Sequence, residues 1–274
     1  MEEEAQNAAD GTCRVLVLGS GTSTGVPIIG CACPVCTSAD PRDNRMRFGL
    51  HLTFKGFHLQ IDTSPDFRNQ ALRFRLPRMD AVLLSHCHAD HVLGLDELRR
   101  YNQLQQESIP LYCLAPVARE INRIFGYIFN PPPLPPDVRV FRPRLTLRVV
   151  EERQATSIGP FRVEMSTVPH GPVQSTAFRI EADGRRLVVA TDVSAVTPGL
   201  LEWMRDADLV LLDGLRPSVH SAHLSQGMCH TILRTCGCKR GRLLHIGHNV
   251  LHEDLLRSYP PPFSPTYDGE ELVL

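Results

Sequence analysis

"SHCHADHVLGLDEL", residues 85–98, places His86, His88, Asp90 and His91 within six positions, directly after the apolar run "DAVLLS" (80–85). A short apolar run reads as a buried strand, and "GLDELRRYNQLQQ" (94–106) reads as a helix. The cluster therefore lies on a loop at the carboxyl end of a strand. Imidazole and carboxylate are the donors that suit zinc, manganese or iron as hydrolytic metals. Along an extended loop His86 and His88 point one way, while Asp90 and His91 enter the next turn and face a second position. The same alternation directs Cys87 away from the metals. Two metals about 3.5–4 Å apart form a clamp for the attacking and leaving oxygens of a displacement.

Outward from this stretch, strands and helices mix in both halves of the chain. "RVLVLGSG" (14–21) reads as a strand ending in a glycine turn, and "MRFGLHLTF" with "GFHLQIDT" as a hairpin joined near Lys55-Gly56. Helices are expected at 65–74, 117–125, 198–206 and from about 224. Further strands are expected at 110–115, 144–151, 161–168, 174–181, 186–191, 209–213 and 242–246, with a last hairpin around Asp268-Gly269. This order fits two mixed sheets packed face to face with helices outside better than one doubly wound sheet. "NPPPLPPD" (130–137) is too rich in proline for helix or central strand, and is expected to be a lid or a contact surface. Residues 1–12 read as a disordered lead and 13–274 as a single domain.

Three more donors follow apolar runs: His170 in "STVPHGPVQS", Asp192 in "LVVATDVSAV" and His245 in "LLHIGH". A ligand exposed at the carboxyl edge of a sheet belongs in such places, although any one of them also fits an ordinary loop.

The order H-x-H-x-D-H, His, Asp, His resembles the metallo-β-lactamase fold of binuclear hydrolases, over nearly the whole chain. The resemblance implies an α+β four-layer αββα sandwich. It implies that His86, His88 and His170 hold one divalent ion and Asp90, His91 and His245 another, manganese or zinc, with Asp192 bridging. Aspartate rather than cysteine at the bridge points to the phosphodiesterase and nuclease branches.

"CACPVC" (31–36) supplies Cys31, Cys33 and Cys36, three of the four donors a tetrahedral zinc needs. The opening "GSGTSTGVP…GCACPVC" resembles the PhnP-type cyclic-phosphate phosphodiesterases. In that group the loop holds a structural zinc whose fourth ligand falls here on His248, bracing the strand end that carries His245. The same pattern places a non-ligand catalytic histidine at His223 in "HSAHLSQG". Helix capping by His223, or the use of His220 in its place, is the competing reading. With Asp90, His223 completes the expected catalytic groups: metal-activated hydroxide attacks phosphorus and His223 protonates the leaving oxygen. The implied substrate is a small phosphodiester like a ribosyl 1,2-cyclic phosphate.

Composition narrows the alternatives. The 274 residues carry a formal net charge of −1, so no global field draws the chain to nucleic acid or anionic membrane. A tRNA 3′-processing-type endoribonuclease shares the seven ligands, but it would want a basic arm, and no long Lys/Arg-rich insertion occurs. A non-catalytic metal-stabilised module would leave His223 without a purpose. Thioesterase or lactonase chemistry stays open, because fold does not fix substrate. No apolar run approaches a membrane span, and no export signal precedes the cysteines, so a cytoplasmic or nuclear protein is expected. A homodimer is possible. "GSGTSTG" has the wrong final spacing for a dinucleotide fingerprint, His51 and His58 read as structural, and Cys236-Gly237-Cys238 is weak evidence for redox chemistry.

Overall fold

The computed structural model describes residues 11–274 apart from 134, 136, 138 and 139. The expected lead falls almost wholly outside these residues, as does part of the proline-rich stretch. One sheet contains β1 (Arg14–Gly19), β2 (Gly49–Phe54), β3 (Phe57–Ile61), β4 (Ala81–Leu83), β5 (Ile109–Cys113) and β6 (Leu145–Val149). The other contains β7 (Thr156–Ile158), β8 (Phe161–His170), β9 (Val173–Ala182), β10 (Arg185–Ala190), β11 (Leu209–Asp213), β12 (Gly241–Leu244) and β13 (Phe263–Pro265). The chain then returns to the first sheet as β14 (Glu271–Val273), giving the orders β14-β1-β2-β3-β4-β5-β6 and β13-β12-β11-β10-β9-β8-β7.

Strand sequences explain the layers. In β11, Leu209 and Leu211 join the core between the sheets, while Val210 and Leu212 turn to the outer helices. β10 divides likewise, Leu187 and Val189 inward, Val188 and Ala190 outward. Continuous apolar runs are what strands covered on both faces require. Phe54, Phe161 and Phe178 fill the inter-sheet core. Val82 and Leu111 pack outward against Val117 and Ile121 of the helix Ala115–Ile124. Trp203 and Leu233 cover the second sheet from the helices Pro198–Met204 and Gln226–Thr235. The result is the four-layer αββα sandwich, helices outside and two mixed sheets within.

The structure corrects the sequence reading in two places. The expected hairpin around Asp268-Gly269 does not form: β13 pairs in parallel with β12, whereas β14 pairs antiparallel with β1. Asp268 accepts hydrogen bonds from the Ser20 amide and hydroxyl, both at 2.8 Å, and from the Met46 amide at 2.6 Å, which pull the connection across to the first sheet. The helix expected at 94–106 divides into a 3₁₀ turn, Leu95–Leu98, and an α-helix, Arg99–Gln105. Gly94 begins it so close to the preceding loop that a Cβ would overlap the Ser64 carbonyl.

Candidate metal centre

Every strand that carries an expected ligand ends on the same edge of the sandwich. His86 and His88 follow β4, His170 ends β8, Asp192 lies just beyond β10 and His245 just beyond β12. Asp192 and His245 take left-handed backbone angles, φ 55° and 58°, uncommon for residues other than glycine. Such outliers collect where a site over-determines the backbone.

The side chains converge on Asp192. Its Oδ1 faces His170 Nε2 at 3.5 Å and His86 Nε2 at 4.0 Å. Its Oδ2 faces His91 Nε2 at 3.2 Å and His245 Nε2 at 3.5 Å. Asp90 Oδ2 lies 3.2 Å from His91 Nε2 and 3.7 Å from His245 Nε2, and His88 Nδ1 lies 3.3 Å from His170 Nε2. His86 and His170 thus face one oxygen of Asp192 and His91 and His245 the other, with His88 beside His170 and Asp90 beside His91 and His245.

The donors fit divalent ions. His170 Nδ1 donates to the Ala222 carbonyl at 2.8 Å, and His91 Nδ1 donates to Asp62 at 2.7 Å, so in the neutral ring the Nε2 of each keeps its lone pair. Buried Nε2 atoms of His86, His91 and His245 have no hydrogen-bond partner. Unpaired buried polar atoms are rare in proteins, and here they aim at one another. Tetrahedral ligation with metal–donor bonds near 2.0–2.1 Å gives donor–donor edges of about 3.4 Å, inside the observed spread. Burial opposes charge throughout the cluster. Even so, His245 and His91 hold the Asp192 carboxyl well below the ordinary range. Asp192 and Asp90 in turn lift His245 to about 9 against the cost of its burial. Carboxylates this deep demand positive partners.

The cysteine loop meets His248. Cys31 Sγ and Cys33 Sγ lie 3.5 Å, and Cys36 Sγ 3.4 Å, from His248 Nδ1. A tetrahedron with Zn–S near 2.3 Å and Zn–N near 2.0 Å has S···N edges of about 3.5 Å. The Cys36 amide donates to Cys33 Sγ at 3.4 Å and is the leading reason that this thiol falls to about 6. The Ile28 amide donates to Cys36 Sγ at 3.3 Å. Amide-to-sulfur bonds of this kind favour thiolates, but at Cys36 burial outweighs the bond and pushes the thiol up to about 11. Cys33→Ser is expected to remove one zinc per chain and to lower the thermal midpoint by about 5–10 °C, checked by elemental analysis and calorimetry.

His223, not among the expected ligands, lies beside the donors and comes within ligand reach of His170 and Asp192. Its Nε2 is 3.9 Å from Asp192 Oδ1, and its Nδ1 is 2.8 Å from Asp213 Oδ2. It does not cap the following helix, whose Ser225 side chain accepts from the Met228 amide. His220 accepts from the Ala222 amide through Nδ1 at 3.1 Å. Cys87 Sγ turns to the Val117 carbonyl, 3.6 Å away. His51 bonds Gln60 and His58 within the first sheet.

Sequence reasoning missed two aspartates. Asp62, following β3, accepts from the Ser85 amide at 2.8 Å and the Ser85 hydroxyl at 2.5 Å as well as from His91. Asp213, ending β11, accepts from the Val193 amide at 2.9 Å besides holding His223. Both are fully buried. Outer partners of this kind fix ring orientation, and their loss costs about 10–100-fold in metal affinity or activity. Asp62→Asn is expected to weaken binding at the His91 side by that factor, read by titrating metal into the stripped protein.

A family model for the beta-lactamase superfamily domain matches residues 58–246, from β3 to the residue after His245. The chain belongs to the beta-lactamase superfamily. Its PhnP-type character is equally plain: the crystal structure of a diphosphatase from the PhnP family superposes with a TM-score of 0.86 at 32% identity, covering 96% of this chain and 97% of that one. An octanoyltransferase of Porphyromonas gingivalis is 33% identical over 264 residues, 95% of this chain but 51% of that protein, so this chain spans about half of it. The coenzyme PQQ synthesis protein B of Methylobacterium radiotolerans is 31% identical over 225 residues, 73% of this chain and 72% of that protein. The chain thus has the metallo-β-lactamase fold, with clusters of histidine and aspartate placed where they could hold metal ions. Among its described residues no helix is long and apolar enough to cross a membrane.

Proposed function

We propose that this chain is a phosphoric diester hydrolase acting on a small cyclic phosphate or linear phosphodiester with two divalent ions, manganese or zinc, and that a structural zinc sits in the Cys31, Cys33, Cys36 and His248 clasp. One observation carries the reading: Asp192 offers one oxygen to each of two donor sets, with His223 against the same carboxylate. Bound divalent ions would supply an activated water and neutralise charge on the phosphoryl oxygens. The chain's own groups do the rest. Asp192 holds the two donor sets in register, and Asp90 belongs to the His91 and His245 side. Because Nδ1 of His223 donates to Asp213, the ring is held in orientation and Nε2 is the atom placed to pass a proton to the departing oxygen. An alkoxide is a poor leaving group without that proton.

The likeness to a diphosphatase supports reaction at phosphorus. A second reading, hydrolysis of an acyl ester or thioester, draws on the octanoyltransferase likeness. RNA processing is less favoured, since the near-neutral chain has no basic arm for a polyanion. The test is a screen of cyclic and linear phosphodiesters with octanoyl thioesters and a tRNA precursor, on protein reconstituted with manganese or zinc. Metal-dependent release of a phosphomonoester from a small diester is expected. Turnover of the thioester or the tRNA alone would replace this reading.

A further inference from the structure

We infer that the cavity beside the metal cluster receives the ester group that stays on phosphorus, and that this group is uncharged and about the size of a pentose or short alkyl chain. The inference rests on the phosphodiesterase reading and concerns the substrate's second substituent.

The cavity, about 350 Å³, opens from His86 and His88. Its walls are Cys87, Pro116, Val117 and Val173, with Glu120 and Gln174 also lining it. Position gives it a direction. His88 and His170 have ring centres 5.0 Å apart, and His170 and His223 4.8 Å, so His170 stands between the cavity side and the proton donor. Neither His223 nor Asp213 lines the cavity. The leaving oxygen belongs at His223, which leaves the cavity for the group that remains on the product.

Chemistry gives it selectivity. None of the lining residues is lysine or arginine, and the one carboxylate, Glu120, is already paired with Arg123 one turn along its helix. An anionic substituent would surrender its hydration with no Lys or Arg of the lining in return. No phenylalanine, tyrosine or tryptophan lines the cavity to stack a base, and its volume lies at the low end of the roughly 300–1,000 Å³ typical of ligand sites. Apolar walls beside an amide and a carboxylate suit an alkyl group or a neutral polyol, whose hydroxyls Gln174 and Glu120 can accept. A charged group on the substituent that enters the cavity is disfavoured.

The test uses diesters sharing one p-nitrophenyl leaving group, with propyl, 2-hydroxyethyl or 2-carboxyethyl as the second substituent, on the metal-reconstituted chain. The propyl and 2-hydroxyethyl esters are expected to exceed the 2-carboxyethyl ester in kcat/KM by about tenfold or more. Gln174→Lys, at an exposed position, should bring that ratio to about one or invert it. Inhibition by propyl phosphate and 2-carboxyethyl phosphate should show the same order in binding. Comparable values for all three esters, or a ratio unmoved in Gln174→Lys, would overturn the inference while leaving the phosphodiesterase reading intact. No turnover of any diester or cyclic phosphate would remove that reading, and this inference with it.

Discussion

His223→Ala should lower turnover of a diester with an alkoxide leaving group by about 10²–10⁴-fold, while the chain keeps its full complement of metal. On the proposed reading the histidine is not a ligand, so removing it leaves the seven expected donors in place. Asp213 loses a partner but keeps its bond to the Val193 amide, and Asp192 loses the ring 3.9 Å from its Oδ1. The size of the loss must depend on the leaving group. A p-nitrophenolate departs without a proton, and with it the deficit should shrink to within about tenfold. Kinetics on matched alkyl and p-nitrophenyl diesters, with metal content measured on the same samples, separate this role from a structural one. A deficit of the same size for both leaving groups would exclude proton donation.

Asp192→Ala should have the larger effect on composition. It removes the carboxylate that faces both donor sets and leaves His91 and His245 without their main counter-charge. The expected result is fewer than two ions retained at this edge, and a loss of activity well beyond the roughly 10–100-fold that outer partners cost. Breaking a buried charge pair by removing one member also destabilises by about 3–5 kcal/mol, so the variant should unfold earlier in denaturant. Full metal retention by this variant would show that the two sets do not share the carboxylate.

Local chemistry is what the sequence exposes well. His86, His88, Asp90 and His91 are contiguous, and so dense a run of donors directly after an apolar strand is rare on an ordinary surface loop. Asp192 and His245 could be found because they close apolar runs, whereas His170 ends a strand with polar residues of its own and stands out only in order with the others. Asp62 and Asp213 end strands in the same way, yet aspartate is also a common turn residue. Only their bonds to His91 and His223 distinguish them, and those bonds span 29 and 10 positions of chain. Long-range choices were equally hidden. Nothing near Asp268-Gly269 announces that the preceding strand belongs to one sheet and the following strand to the other. The deciding contacts are with Ser20 and Met46, more than 200 residues earlier. Short elements escape for another reason. The strand Thr156–Ile158 and the helix His252–Ser258 are held by their neighbours, and neither has enough periodic sequence to be read alone.

The most direct measurement is the metal stoichiometry of the loaded chain beside its Cys33→Ser variant, by elemental analysis after gel filtration. Three ions per wild-type chain and two in the variant, with diester hydrolysis following the remaining two, is the expected outcome. Fewer than two ions in the variant, or hydrolysis that survives their removal, would contradict a two-ion centre built around Asp192.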